Sequence, residues 1–449
     1  MKGSNSILIK NGTVATLGEK NQILEDFDLL IENGEIKKIA KKISVGEPGC
    51  GVKVISARNK LVLPGFINAH THYYSSFACG FNKAASSANF LEVLENLWWR
   101  LDKELLLEDC YYSALVANID AIKKGTTTLI DHHASPNAIT GSLKKISEAV
   151  LFAGVRASLC YEVSDRDGKK IKDTGIEENL NFIKALQARP NPMLSAIFGL
   201  HASFTLSDET LSMVAKKNEA DKVGFHIHCA EDMADQKNCV DKHKKRVVER
   251  LASHGILGSK TILAHGVFLE EEELDLIAKS QSAVVHNPQS NMNNAVGVAN
   301  ILKMRERGIL VGLGTDAMTT NMLEELRSAI WVQRLQQKNP SSAFSECCDL
   351  LVKNNRKIAQ RYWPALSSNS FELKKGAPAD VIIVDYNPAT LLNADNFYGH
   401  LVFGAAQATV DTTIVSGKIL MQDKKLSGLD EEQIKEEARR VSSLLWERV

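Results

Sequence analysis

The sequence predicts an α/β fold: a (β/α)8 barrel of the TIM type with a small flanking β-sandwich domain formed by both termini. Three observations carry this expectation. About eight apolar, strand-like runs alternate with helical stretches between Pro64 and Lys375. Polar residues able to bind metals or move protons close several of those runs. A β-rich texture of the same kind stands at both ends of the chain.

Residues 6–63 read as a β-meander. Ile7-Leu8-Ile9, Asp28-Leu29-Leu30-Ile31 and Ile36-Lys37-Lys38-Ile39 are short apolar runs. Asn11-Gly12 and Asn33-Gly34 supply the positive φ angles that tight hairpins demand. The texture returns at 380–385 and 410–418, so residues 1–63 and 376–425 are expected to form one composite β-sandwich domain. The barrel is expected over 64–375, with strands near 65–68, 127–130, 155–159, 195–198, 224–228, 261–264, 282–285 and 309–313. An open doubly wound sheet would show the same alternation. It would not gather the ends of so many successive strands at one point. Residues 426–449, with Asp430 as N-cap and Ile434, Ala438, Val441 and Leu445 on one stripe, are expected as an amphipathic helix. That stripe is suited to docking on the body or on a partner subunit.

A chain of 449 residues has room for one large barrel and a satellite. Lys plus Arg and Asp plus Glu are 54 each. This balance lacks the basic excess that nucleic acid or an anionic membrane surface attracts. The eight cysteines, Cys50 among them, contain no Cys-x-x-Cys pair and read as reduced thiols. The N-terminal residues run straight into strand alternation without the apolar core of a signal peptide. No apolar run reaches the roughly eighteen residues of a membrane span. A cytoplasmic location is the expectation.

The chemistry is concentrated in four places. In Asn68-Ala69-His70-Thr71-His72, residues two apart on a strand face the same way, so His70 and His72 can offer two imidazoles to one point. In His226-Ile227-His228-Cys229-Ala230-Glu231, His228 lies nearer the strand's C-terminal end and His226 one layer deeper. Glu231, just beyond, can manage protons on a bound water. His265 closes the sixth run. Asp316 closes the eighth, and a buried Asp requires a partner. Each feature alone is also what an ordinary barrel interior or loop contains. The ordered set His-x-His, His-x-x-Glu, His, Asp on separate strands points to a metal site.

These residues resemble the amidohydrolase superfamily, and within it the metal-dependent aminohydrolases such as guanine deaminase, S-adenosylhomocysteine deaminase and triazine hydrolases. The resemblance extends over nearly the whole chain, including Gly376-Ala377-Pro378-Ala379-Asp380, which looks like the return into the β-domain. A closer similarity is to the SsnA group of aminohydrolases, associated with selenium-dependent and purine-related metabolism. It rests on Asn96-Leu97-Trp98-Trp99-Arg100-Leu101-Asp102, Ile130-Asp131-His132-His133-Ala134-Ser135-Pro136, Val285-His286-Asn287, Ser290-Asn291-Met292-Asn293-Asn294 and Gly399-His400.

The resemblance implies that His70, His72, His228 and Asp316 hold one divalent metal ion, zinc first and iron second. It makes Glu231 the proton shuttle, and His265, with Asp316, the groups that orient the attacking oxygen. Dinuclear relatives use a carboxylated lysine at the fourth strand's end. Here that stretch reads Phe198-Gly199-Leu200-His201-Ala202, without lysine, which favours a single ion. The resemblance is compatible with a homodimer.

His201 fits a substrate-contacting position. Trp98 and Trp99 offer an aromatic wall for a flat ring, a role they share with ordinary core packing. A neighbouring pair splits its directions on a strand, so one of His132 and His133 faces the pocket; His133 is the candidate for substrate contact. Asn291, with Ser290, Asn293 and Asn294, can read ring nitrogens or shape its loop. Arg156, inside a strand, is expected to make a structural ion pair.

The implied function is hydrolytic deamination of a nitrogen heterocycle (purine-, pyrimidine- or triazine-like), with water as co-substrate and release of ammonia. Two alternatives use the same scaffold. One is hydrolysis of a cyclic amide or carbon–halogen bond at the same centre. The other is a non-catalytic scaffold or cofactor-handling protein, which the retention of every ligand and of Glu231 disfavours.

Overall fold

The computed structural model describes residues 6–44, 51–219, 222–364, 366 and 369–449. Cys50 and the first five residues lie outside this set. The other seven cysteines are free thiols. Among the described residues no helix is long and apolar enough to cross a membrane.

Eight parallel segments build the barrel: Phe66–Thr71, Thr126–Asp131, Arg156–Leu159, the pair Leu194–Ala196 and Phe198–Ala202, then Phe225–Cys229, Ile262–His265, Ala283–His286 and Leu310–Leu313. The fourth segment is one strand shared between two sheets. Ile197 donates its N–H to Leu159 on one side, and Phe198 donates to Gly224 on the other. At the opposite seam Thr71 bridges Asp316 in parallel, and the N–H of Thr315 donates to the His70 carbonyl at 2.9 Å. This second seam therefore brings the first and last strands together at the residues expected to carry the chemistry. Gly314 permits this approach: a Cβ there would stand 2.8 Å from His70 Cβ and 2.5 Å from Asn287 Oδ1.

The first barrel strand is followed by a long excursion, residues 73–103, before the helix Leu107–Lys123. Its helical part is capped by Asn89, whose side chain accepts from the Glu92 N–H. It passes from Phe90–Val93 through a π-helical turn at Leu94–Trp98 into Trp99–Lys103. Such turns shift the side-chain register by a residue and recur at functional sites. Here both Trp98 and Trp99 border the same cavity.

Strands from both ends of the chain hydrogen-bond in one continuous path. It runs Lys425–Leu426, Lys418–Gln422, Val410–Val415, Val381–Val384, Leu61–Pro64, Ser6–Ala15, Ile23–Glu32 and Glu35–Ala40, with Val52–Ser56 beside Ser6–Ala15. The termini join where Leu61–Pro64 pairs antiparallel with Val381–Val384. The sheet encloses an apolar core that includes Ile9, Leu29, Ile31, Val62, Val381, Ile383 and Ile414. Asn33-Gly34 forms the expected hairpin turn, with φ of 52° and 85°.

Asn11-Gly12 does not form a hairpin. The strand Ser6–Ala15 runs straight through it, with register shifts on either side of Gly12. The positive φ of Asn11, 57°, belongs to a bulge whose N–H donates to Asp28 Oδ1. Gly12 is needed there because a Cβ would meet Val62 Cγ2 at 2.6 Å.

Two further contacts hold the parts together. The helix Glu431–Arg448 is N-capped by Asp430 and buries Ile434, Ala438, Val441 and Leu445. It docks on the helix Leu107–Lys123, where Arg448 pairs with Asp109 and Arg440 with Glu108. Arg156 makes the expected structural pair: fully buried, it donates to Asp380 and to Ser416 Oγ in the β-domain. Removing one partner of a buried pair strands the other charge. Arg156→Ala is therefore expected to lose about 3–5 kcal/mol of stability, read by denaturant unfolding.

Candidate active site

At the C-terminal mouth of the barrel the first strand delivers His70 and His72, the fifth His228 and the eighth Asp316. His72 Nε2 lies 3.2 Å from His228 Nε2 and 2.8 Å from Asp316 Oδ1. His70 Nε2 lies 3.3 Å from the same carboxylate oxygen. The four side chains anticipated as ligands thus meet at one point, and two of the groups able to hold an ion share His70 and His228.

The other ring nitrogens fix the tautomers. His72 Nδ1 donates to the His132 carbonyl, and His228 Nδ1 donates to the His201 carbonyl at 3.0 Å. A carbonyl can only accept, so each neutral ring turns an Nε2 lone pair inward. Two lone pairs at 3.2 Å cannot hydrogen-bond to each other. His70 Nδ1 contacts His226 Nε2 at 2.9 Å, a nitrogen that can donate or accept, while the buried Nε2 of His70 has no hydrogen-bond partner. Four donors around a tetrahedral ion at about 2.0–2.2 Å stand roughly 3.3 Å apart, the spacing seen here.

Electrostatics favour the neutral form for two of the three rings. Burial pushes His70 down to about 4 and His228 well below the ordinary imidazole range. His72 moves the other way: burial would lower it, but Asp316 and Glu162 together raise it well above that range. Asp316 is held far down by His70 and His72 despite its burial. The cluster is built for a positive charge, and the donor set fits a divalent ion.

Glu231 stands beside this point. His265 Nε2 lies 3.4 Å from Glu231 Oε2 and 4.0 Å from Asp316 Oδ2. Asn294 Nδ2 donates to Glu231 Oε1 at 3.3 Å. Burial, partly offset by His265, pushes the Glu231 carboxyl up to about 7, the range in which one group can both take and give a proton near neutrality. Backbone conformation aims these groups. Ala230, His265 and Asp316 have φ of 49°, 75° and 53°. Each costs on the order of 1–3 kcal/mol, a strain typical of functional sites.

The cavity above the cluster measures about 630 Å³ and is bordered by Trp98, Trp99, Phe204, His201, Glu162 and Glu231, among others. His201 and Trp98 therefore stand where sequence placed them. Two candidates do not. The His133 ring turns outward to Ser135 Oγ at 2.9 Å and to Cys110, away from the cavity. It is His132 that points inward, stacked on His226 at 4.3 Å. Alternation along the second strand allows only one of the pair inside.

Asn291 lies behind His265 rather than against the cavity, its Oδ1 2.8 Å from His265 Nδ1. That makes it a positioning residue. Asn291→Ala is expected to keep its metal and lower kcat roughly 10- to 100-fold with little change in KM. Asn291→Asp, which keeps the acceptor, is expected to restore most of that loss in steady-state assays.

Sequence reasoning missed Glu162 and Asp102, and weighed Asn294 only as one of four loop residues. Glu162 had a readable signal: like Asp316, it is an acid just beyond an apolar strand. Asp102 lies in the stretch that carries the SsnA similarity but receives no role of its own there; it stands on the excursion, in the helix Trp99–Lys103, and borders the cavity.

A parallel barrel with three imidazoles, a carboxylate and a second buried acid at its strand ends has the make-up of a hydrolase working through a divalent ion. The amidohydrolase family model matches residues 61–420, and the chain belongs to this family. It is 34% identical to a 5-methylthioadenosine/S-adenosylhomocysteine deaminase of Thermococcus sibiricus over 93% of this chain and 94% of that one. It is 31% identical to a 5'-deoxyadenosine deaminase of Methanosarcina barkeri over 99% of each chain. Its fold matches the crystal structure of an adenosine deaminase from Xanthomonas campestris with bound zinc, at TM-score 0.83 and 19% identity over 98% of each chain.

Proposed function

We propose that the protein is a metal-dependent aminohydrolase that deaminates a purine-like heterocycle, with adenosine-type nucleosides as the first substrates to test. The observation that carries this reading is the convergence of His70, His72, His228 and Asp316 beside Glu231, beneath an aromatic-walled cavity. The relatives' names supply the substrate class. Zinc is the ion we assign to three imidazoles and one carboxylate. The stretches around Trp98 and His132 support placing the chain with the SsnA group, and its free thiols support a cytoplasmic site of action.

When bound, the ion lowers the pKa of water towards about 7 and polarises the attacked centre. The chain's own residues do the rest. Trp98 and Trp99 hold a planar ring and exclude bulk water. Glu231 takes a proton from the attacking water at its carboxylate and returns it to a ring nitrogen. This draws electrons from the amino-bearing carbon as the water oxygen adds. His265, held by Asn291, and Asp316, held by Ser290, orient that oxygen. A second proton passes to the amino group, which leaves as ammonia.

Ammonia release from a panel of adenosine-type nucleosides, aminopyrimidines and aminotriazines tests the proposal. Turnover of at least one adenosine-type member is expected. A fully metal-loaded enzyme that releases ammonia from none of them contradicts it.

A further inference from the structure

The mechanism leaves the buried acids Asp102, Glu162 and Asp235 of the cavity without a role, and Glu162 is the one set against His72. Glu162 follows the third barrel strand, and its side chain is 3% exposed. Its Oε1 lies 3.2 Å from His72 Nδ1 and 3.5 Å from His132 Nδ1, and its Oε2 lies 3.8 Å from His201 Nε2. None of these is a formed hydrogen bond. The His72 N–H is already given to the His132 carbonyl, and Glu162 Oε1 has no partner. Oε1 is enclosed between His72 and His132, so the oxygen left to a ligand in the cavity is Oε2, for which no donor among the described residues is in place.

The nearest cation does not meet this need. Arg166 gives Nη2 to Asp102 and Nε to Asp167, and its guanidinium lies 5.2 Å from the centre of the Trp99 ring. Asp102 Oδ1 is likewise buried without a partner. Among the described residues no Lys or Arg borders the cavity. The wall around His201 thus offers acceptors and lacks a free positive charge.

We propose that Glu162 is a specificity-determining residue whose carboxylate receives a hydrogen-bond-donating group of the substrate, N–H or O–H, away from the attacked carbon. This rests on the aminohydrolase reading and sharpens it. The pocket selects a neutral or cationic substrate with a donor on that side and disfavours an anionic substituent there. A purely structural role, with Glu162 orienting His72 as carboxylates often do behind metal-bound histidines, makes a different prediction. Its loss would then weaken all ligands alike and lower metal content.

The test uses zinc-loaded protein carrying Glu231→Gln, so that ligands bind without being consumed. Kd is read from quenching of tryptophan fluorescence, which Trp98 and Trp99 in the cavity wall make responsive. One arm compares adenosine with 2′,3′-dideoxyadenosine, which lacks the sugar O–H donors. The other compares 2,6-diaminopurine riboside with adenosine, which lacks the second ring amino group. With Glu162 present, loss of the donor in one arm is expected to weaken binding roughly 10- to 100-fold. With Glu162→Gln added, that ratio is expected to fall to within about threefold, with zinc content unchanged. The responding arm identifies the donor. Ratios in both arms that are the same with and without Glu162, or loss of zinc in Glu162→Gln, overturn the assignment. Ammonia release by the unmodified enzyme judges the deaminase reading separately.

Discussion

Glu231→Gln is expected to bind metal as the unmodified protein does and to lose turnover by about 100- to 10,000-fold, the usual contribution of a positioned acid–base group. The substitution keeps the shape of the side chain and leaves a partner for Asn294, which donates to Oε1. It removes only the capacity to carry a proton. Among the described residues no hydrogen bond or ion pair joins Glu231 to the four proposed ligands, so zinc stoichiometry and melting temperature should stay near those of the parent. The effect should fall on kcat, since the proton is moved in the transition state and not on binding. Metal analysis paired with steady-state kinetics reads both halves. A variant with full metal and near-normal kcat would remove Glu231 from the mechanism.

Asp316→Asn attacks the other half of the site. The carboxylate lies 2.8 Å from His72 Nε2 and 3.3 Å from His70 Nε2, and it is the only acid in the four-ligand set. An amide of the same shape retains an oxygen but not the charge that offsets a divalent ion in a buried setting. Metal affinity is expected to fall at least tenfold, and turnover with it. Stability offers an independent readout, because an ion that binds only the folded chain raises its melting temperature by mass action. Chelation should lower the melting temperature of the parent. Asp316→Asn should already melt close to the chelated parent and respond little to chelator. A full chelator response in the variant would mean that the ion sits elsewhere.

Much of this site was legible in the sequence because strand geometry is simple. His70 and His72, like His226 and His228, differ by two positions and share a face, and the distance of each from the strand end sets its depth. The structure accordingly places His228 at the mouth and His226 beneath His70. What sequence could not supply came from places where the backbone leaves ideal geometry. Asn11-Gly12 carries the positive φ of a hairpin but forms a bulge, because its neighbours Val62 and Asp28 come from distant segments. His132 and His133 are equivalent to a period-2 argument, and only the packing of His226 and Cys110 decides which turns inward. Asn291 looked like a substrate contact because it is polar and near the mouth, yet the short helix Pro288–Asn293 turns it towards His265. Glu162 and Asp102 border the cavity on segments whose course depends on tertiary contacts.

The central claim is that three imidazoles and one carboxylate from four strand ends hold a single divalent ion. X-ray absorption at the metal edge of protein purified without chelators tests it most directly. The account predicts one ion per chain with a shell of about three nitrogens and one or two oxygens at roughly 2.0–2.2 Å. Sulfur at about 2.3 Å would place the ion among the buried thiols, and a protein that takes up no metal would contradict the account outright.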